Sequence, residues 1–203
     1  MFFAIITGIS IGLGIAISIG PYFLFLVNTS LQEGKISASY LAMGVAINDI
    51  VYLSVAYLSI HFFIHDLSFI NTSKSLAGVF ILVYGLYTIF KKTKINIKDK
   101  VEISSKDKLK NIAKGFVFNG LNPSVFVFWF VTSGALVSKS NFTQIQTVIA
   151  FIFIVLTTFS CDLIKVRLAD KFSPLLKEKT IAFANRIVGS VLVLVAIYLL
   201  LFK

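Results

Sequence analysis

Long apolar segments alternate with short polar or charged stretches along the 203 residues of this chain. Each apolar segment has close to the ~20 residues that an α-helix needs to cross a bilayer. Backbone groups in lipid must be hydrogen-bonded within the protein, so we expect these segments to be helices. The segments are residues 2–29, 36–60, 69–90, 115–137, 142–164 and 181–202. This pattern predicts an all-α membrane protein with six transmembrane helices in a single integral domain, 1–203.

Composition supports the lipid environment. The mean hydropathy is +0.91, with 57% hydrophobic and only 14% charged residues. A soluble domain of this length keeps a largely polar surface and cannot bury so much apolar area. The single cysteine, Cys161, excludes an intramolecular disulfide and a membrane thiol-disulfide carrier, which needs a thiol pair.

The net charge of +10 is unevenly placed, and its placement predicts the orientation of the chain. Sixteen of the 19 Lys and Arg residues lie in or beside the connections after the first, third and fifth segments. Positive residues accumulate on the cytoplasmic side, so we predict a basic cytoplasmic loop at 91–114 and both termini outside. The loop is expected to contact anionic headgroups. No aromatic residues interleave its lysines, so we expect no nucleic-acid binding.

Two prolines interrupt the apolar segments. Gly20-Pro21 lies deep in the first segment, and the fourth opens with Asn119-Gly120-Leu121-Asn122-Pro123. Proline breaks a helix interior but fits the first helical position, so each proline is predicted to start a new half-helix. The positive N-terminus of each half-helix would then face the bundle interior and bind a carboxylate or another anion. The alternative is a plain kink in a continuous span.

The two breaks fall at corresponding places in the two halves of the chain. Asp49-Ile50-Val51 in the first half is also echoed by Asp162-Leu163-Ile164 in the second. These correspondences predict two inverted three-helix repeats with broken helices 1 and 4. Discontinuous helices in matching positions point to the substrate site of a transporter. The first span is then either fully transmembrane or partly re-entrant.

Asp49 is an acid near the middle of the second segment. An ionised acid at the bilayer centre costs ~2.5–3.5 kcal/mol, so such residues normally face the bundle interior or a water-filled cavity. We predict that Asp49 carries a coupling proton or binds a substrate ammonium; the alternative is a structural hydrogen bond to a neighbouring helix. Asp162 is a second candidate for proton coupling, although Lys165 and Arg167 nearby favour an interfacial ion pair.

The two histidines, His61 and His65, lie one helical turn apart beside Asp66 and resemble part of a metal site. They fall at the edge of a short outer loop with no further His or Cys nearby, so we expect no metal and no other cofactor. Neither histidine lies well inside a span, so a catalytic set for an intramembrane hydrolase is lacking and no enzymatic activity is expected.

The ordered set of motifs resembles the LysE/RhtB family of amino-acid exporters over essentially the full length. The matching positions are Gly20-Pro21, Gly34, Gly44 and Asp49-Ile50-Val51-Tyr52 in the first two spans, Ser75-Leu76-Ala77-Gly78 and Tyr84-Gly85-Leu86-Tyr87 in the third, Lys114-Gly115-Phe116, Asn119, Asn122 and Pro123 in the fourth, and Asn185-Arg186-Ile187-Val188-Gly189 in the sixth. The resemblance implies an exporter of the bacterial cytoplasmic membrane, driven by the proton motive force. Tyr22 and Ser124 depart from the usual asparagine and lysine of the family, which leaves the particular cargo open.

We therefore expect a secondary transporter that exports amino acids or related small solutes by alternating access. The predicted substrate-binding residues are Gly20, Pro21, Asp49, Asn119, Asn122 and Pro123, and the predicted proton-coupling residues are Asp49 and Asp162. The expected partners are the lipid bilayer, the amino acid and protons, and assembly into a homo-oligomer stays open.

Two other functions stay open. A metal or inorganic-ion exporter would favour an acidic or histidine-rich loop, whereas the long loop here is rich in lysine. A membrane subunit without transport activity would leave the acid within the second span and both helix breaks without a role.

Overall fold

The computed structural model describes residues 1–17, 21–63, 67–90, 107–138, 142–173 and 178–201. Within these ranges every regular element is a helix, as the apolar segments predict. The helices are α1 (Phe2–Ile17), α2 (Pro21–Gln32), α3 (Lys35–Phe63), α4 (Leu67–Phe90), α5 (Asp107–Gly120), α6 (Pro123–Ser138), α7 (Gln144–Arg167), α8 (Ala169–Phe172) and α9 (Glu178–Leu201).

Three helices of the described chain are long and apolar enough to cross a membrane by themselves: Lys35–Ser59 of α3, Gln144–Arg167 and Glu178–Tyr198 of α9. Two bent helix pairs pass the same test together, which gives three to five candidate spans over the described residues. The apolar part of α4, Gly78–Phe90, is shorter. The chain is thus a multi-pass membrane protein, while the count of six spans stays a prediction.

Both predicted helix breaks are present. α1 and α2 meet at an angle of 72°, and the helices on either side of the second break, Lys108–Gly120 and Val125–Gly134, meet at 68°. Pro21 is the first residue of α2 and Pro123 the first residue of α6, where the missing N–H of proline costs no helical hydrogen bond. The chain therefore breaks into two helices at each proline instead of bending a single continuous one.

Three helix pairs pack most extensively, namely α1 with α7, α3 with α5 and α4 with α9. The α3–α5 pair is in backbone contact at two glycines. A Cβ added at Gly44 would lie 2.0 Å from the carbonyl oxygen of Ile112, and one at Gly115 would lie 2.0 Å from that of Leu41. Small residues allow such close approach between membrane helices. The contact sets α5 directly against the middle of α3.

The basic segment 91–114, predicted as a loop, is helical from Asp107 onward because this part forms the start of α5. Residues 91–106 of this segment lie outside the described part of the chain. Asn111, Gly115 and Asn119 recur every four residues along α5 and are all buried. One face of α5 therefore packs into the protein, and the helix begins eight residues before the predicted span 115–137.

The outer surface of the bundle is apolar. Phe2 of α1, Val83 of α4 and Leu194 of α9 are 77%, 62% and 66% exposed. A soluble protein rarely leaves such side chains in contact with water, whereas lipid tails accept them without cost. The exposed apolar surface therefore fits a helix bundle embedded in lipid, with Asp49 and Asp162 on the inside.

Two ion pairs join the basic connections to one another at one end of the bundle. The ammonium of Lys35, at the start of α3, lies 3.8 Å from the carboxylate of Asp170 in α8. The ammonium of Lys114 in α5 lies 2.9 Å from the carboxylate of Glu33, which directly follows α2. The connections that were predicted to share the cytoplasmic side are therefore neighbours in space.

Candidate functional site

Asp49 is a buried acid near the middle of α3, with 7% of its surface exposed. Its Oδ1 accepts one hydrogen bond from Nδ2 of Asn119 at 2.7 Å and another from Nε1 of Trp129 at 2.8 Å. These donors belong to α5 and α6, the helices on either side of the second break. The carboxyl is thus held by two uncharged donors where three helices meet, and neither donor binds Oδ2.

Amide and phenol groups extend this network along α3. Nδ2 of Asn119 also lies 3.1 Å from Oδ1 of Asn48. The hydroxyl of Tyr52, almost one turn beyond Asp49, donates a hydrogen bond to the carbonyl of Gly120. Gly120 is the last residue of α5, where carbonyl groups have no partner within the helix. Side chains of α3 therefore fix the end of α5 directly before the second break.

Asp162 of α7 is the second buried acid, with 6% of its surface exposed. The hydroxyl of Tyr22 donates to its Oδ2 at 2.8 Å, and the ammonium of Lys165 donates to its Oδ1 at 2.8 Å. The side chains of Lys165 and Asp162 are only 12% and 8% exposed. The ion pair expected from the sequence spacing is therefore present, and it is buried within the bundle.

The two acids contact helix breaks in opposite halves of the chain. Asp49 follows the first break in sequence, but its donors flank the second break. Asp162 follows the second break, but it is bound by Tyr22, which lies next to Pro21 at the start of α2. The two acids and their donors, called the acid cluster, therefore join each half of the chain to the break of the other.

The remaining residues predicted from the sequence lie at the breaks themselves. Oδ1 of Asn122 accepts a hydrogen bond from the hydroxyl of Tyr84 at 3.2 Å, which joins the second break to α4. Pro21 and Pro123 start α2 and α6. Gly20 lies outside the described residues. The structure thus brings Asn119 to Asp49, while Asn122 contacts a different helix.

Two members of the cluster were not predicted as site residues. Trp129 is the only tryptophan of the chain, is 2% exposed and packs in a core cluster with Ile154 and Phe151. A buried indole N–H needs an acceptor, so a lone tryptophan in an apolar span was a usable signal. Tyr22 stood out in the sequence only as a departure from a family pattern, and nothing local indicated that it reaches Asp162.

Among the residues that the structure describes, no group of three or more His, Cys, Asp or Glu side chains is placed to hold a metal ion. The side chains of His61 and His65, which were considered for a metal site, lie outside the described part of the chain. The groups that do converge are carboxyls, amides, phenols and an indole, which bind organic ions through hydrogen bonds, and the carboxylates can also take up a proton.

Comparison with known families gives a match over nearly the whole chain. A family model described as LysE type translocator matches residues 13–202. No curated protein and no solved structure gives a significant match. The family match confirms the resemblance that the ordered motifs indicated.

Proposed function

This chain belongs to the LysE type translocator family and is therefore a membrane exporter of small solutes, and we propose that its cargo is an amino acid exchanged for protons. The observation that carries this proposal is the environment of Asp49. Its carboxyl is buried among three helices, and two uncharged donors bind only Oδ1. Such a carboxyl either takes up a proton or binds a substrate ammonium, and each event excludes the other. This competition couples the exit of cargo to the entry of a proton.

The carboxylate of the amino acid is proposed to bind at the helix breaks. Pro21 and Pro123 each begin a half-helix, whose first N–H groups have no acceptor within the helix and carry a positive partial charge. Such helix N-termini bind anions. Gly20 and Asn122 directly precede the two prolines in the sequence and complete the proposed carboxylate sites. Asn119 orients Asp49, which binds the ammonium end.

We also propose that the fold consists of two inverted repeats, α1–α4 and α5–α9, which together make six spans. The bends of 72° and 68° at the two breaks are similar, as corresponding broken helices require. If α1 corresponds to α5 and α3 to α7, the contact of α1 with α7 is equivalent to the contact of α5 with α3. If α4 likewise corresponds to α9, the two-fold relation exchanges these two helices and maps their contact onto itself. This reciprocity supports a two-fold relation and alternating access around the shared acid cluster.

The orientation proposed for this bundle places both termini outside the bacterial cytoplasmic membrane. Lys35, Lys114 and their acidic partners lie in or beside the connections that the positive-inside rule assigns to the cytoplasm. Labelling of single cysteines introduced at each terminus of intact cells tests this assignment. Protection of both termini from an impermeant reagent would invert it.

The direct test of function is efflux from proteoliposomes preloaded with a mixture of amino acids, with and without an imposed proton gradient. We expect one or a few amino acids to leave faster under the gradient. Asp49→Asn should reduce this efflux to the level of empty liposomes, because the amide cannot exchange a proton. Asp170→Asn is the matched control, since Asp170 is an exposed acid of α8 with 77% of its side chain accessible.

The outcomes separate the parts of the proposal. Full efflux by a folded Asp49→Asn protein would remove Asp49 from the mechanism. Gradient-independent efflux would reject proton coupling but keep the amino-acid cargo. If no amino acid leaves a folded preparation, the cargo is another small solute, and metal and inorganic ions are tested next in the same vesicles.

A further inference from the structure

The ion pair of Asp162 and Lys165 resembles a ligand-binding site in which the side chain of Lys165 takes the place of the ligand. We propose that Asp162 is a second ammonium-binding site, which the side chain of Lys165 occupies in this structure. The ligands that fit are primary ammonium groups. The existence of this site does not depend on the proposed function. The statement that the ammonium of the cargo occupies it during export does rest on the proposed function.

The surroundings of the Lys165 ammonium are those of a bound cation. Its Nζ lies 2.8 Å from Oδ1 of Asp162 and 5.9 Å from the centre of the Phe23 ring. A carboxylate combined with an aromatic face is a common arrangement for holding ammonium groups. The hydroxyl of Tyr22 holds Oδ2 of the same carboxylate at 2.8 Å and leaves Oδ1 to the cation. Tyr22 and Phe23 from α2 and Asp162 from α7 therefore form a site that is complete without Lys165.

A residue three positions after a buried acid does not have to bind that acid, as Asp49 and Tyr52 show. Tyr52 and Lys165 each lie three residues after an acid, where side chains on a helix are neighbours. The hydroxyl of Tyr52 donates to the carbonyl of Gly120, whereas the ammonium of Lys165 binds Asp162. Lysine has a long flexible stem, so its ammonium can leave while Tyr22 still holds the carboxylate.

This arrangement suggests that the ammonium of the cargo binds at two acids in turn. Asp49, which is bound by the uncharged donors Asn119 and Trp129, receives the ammonium of the cargo first. The cargo then replaces Lys165 at Asp162, which removes the contact of the Lys165 ammonium with the Phe23 ring of α2. A second contact between these helices, from the hydroxyl of Ser30 to the carbonyl of Val166 at 2.9 Å, remains in place.

Chemical rescue tests the site directly. In Lys165→Ala the ammonium is removed, and ethylammonium chloride is supplied as a probe that matches the lost end of the side chain. The unfolding temperature of the detergent-purified full chain should fall in the variant and rise by about 5 °C with ethylammonium at a hundredfold excess over its dissociation constant. Tetramethylammonium at equal ionic strength should give a much smaller rise, because it has no N–H to donate to Oδ1.

Lys114→Ala is the matched control. It also removes one lysine from an ion pair of similar length, 2.9 Å, but the side chains of that pair are 33% and 34% exposed. Water reaches Glu33 in this variant, so ethylammonium should not raise its unfolding temperature. An equal response of both variants, or no response of Lys165→Ala, would overturn the proposal.

A second variant keeps the test decisive if Lys165→Ala alone does not fold. The double variant Lys165→Ala/Asp162→Asn has no unpaired buried charge, so it should fold and ignore ethylammonium. Lys165→Ala prepared throughout in ethylammonium should then fold as well, and its failure to do so would reject the site. The assay uses no amino acid and no proton gradient. Rescue without amino-acid efflux would therefore keep the site and reject the proposed cargo, and efflux without rescue would do the reverse.

Discussion

Asp49 and Asp162 are both buried acids, one in each half of the chain, yet they differ in the charge of their partners. Each is buried in a long helix, and each contacts the helix break of the opposite half. Asp49 is bound by the uncharged side chains of Asn119 and Trp129, whereas Asp162 is bound by the cation Lys165 as well as by Tyr22.

This difference separates two uses of a buried acid. Removing either partner of a buried ion pair leaves an uncompensated charge. An acid bound by amide and indole donors keeps those hydrogen bonds when it gains a proton on its other oxygen. The environment of Asp49 therefore suits exchange of a proton or an ammonium, and that of Asp162 suits a contact that stays closed until another cation replaces Lys165.

The largest expected effect comes from making the same substitution at both acids. Asp162→Asn leaves Lys165 buried without a counter-ion and should destabilise the fold by about 3–5 kcal/mol. Asp49→Asn keeps an oxygen for Asn119 and Trp129 and should cost only about 1 kcal/mol. Thermal unfolding of both purified variants measures the contrast. Equal losses of stability would show that the two acids are not in different environments.

The next effect tests how the Asp49 side of the cluster is assembled. Gly115 lies one turn before Asn119, and a Cβ at this position would lie 2.0 Å from the backbone carbonyl of Leu41, which cannot move aside cheaply. Gly115→Ala should therefore destabilise the protein by about 3 kcal/mol. Gly14→Ala is the control, because a Cβ there meets no atom within 4 Å, and its effect should be neutral or stabilising by up to about 1 kcal/mol.

Fluorescence of the single tryptophan measures whether Gly115→Ala also changes the surroundings of Asp49. Trp129 donates to Asp49, so separation of α5 from α3 in Gly115→Ala should also change its emission. Unchanged emission and stability in this variant would mean that α3 and α5 tolerate a wider spacing than the backbone contact implies.

Local chemistry explains which parts of the fold were predictable. Pro21 and Pro123 marked both breaks because proline acts on its own helix wherever the helix packs. Asp49 was recognised as an interior residue because an acid in an apolar span has few other places to go. The start of α5 was missed because its lysines masked a buried face made of Asn111 and other residues that are not apolar.

The partners of the acids depended on packing and were not predictable from one sequence. Nothing near Trp129 in the chain indicates that its indole meets Asp49, which lies 80 residues earlier. The contact between Tyr22 and Asp162 joins residues 140 positions apart. Such contacts depend on which faces of α2, α3, α6 and α7 meet, and a hydrophobic pattern fixes that only for elements with a clear apolar stripe.

The smallest expected effect compares the two phenols of the cluster. Tyr22 donates to the carboxylate of Asp162, whereas Tyr52 donates to the neutral carbonyl of Gly120. A hydrogen bond to a charged group contributes about 2 kcal/mol and one between neutral groups about 1 kcal/mol, so Tyr22→Phe should lower the unfolding temperature more than Tyr52→Phe. Combining Tyr22→Phe with Asp162→Ala should add little to the loss from Asp162→Ala alone, because alanine has no oxygen to accept the Tyr22 hydroxyl and both changes break the same contact. Additive losses, or a larger loss from Tyr52→Phe, would mean that α2 is not attached to α7 through this carboxylate.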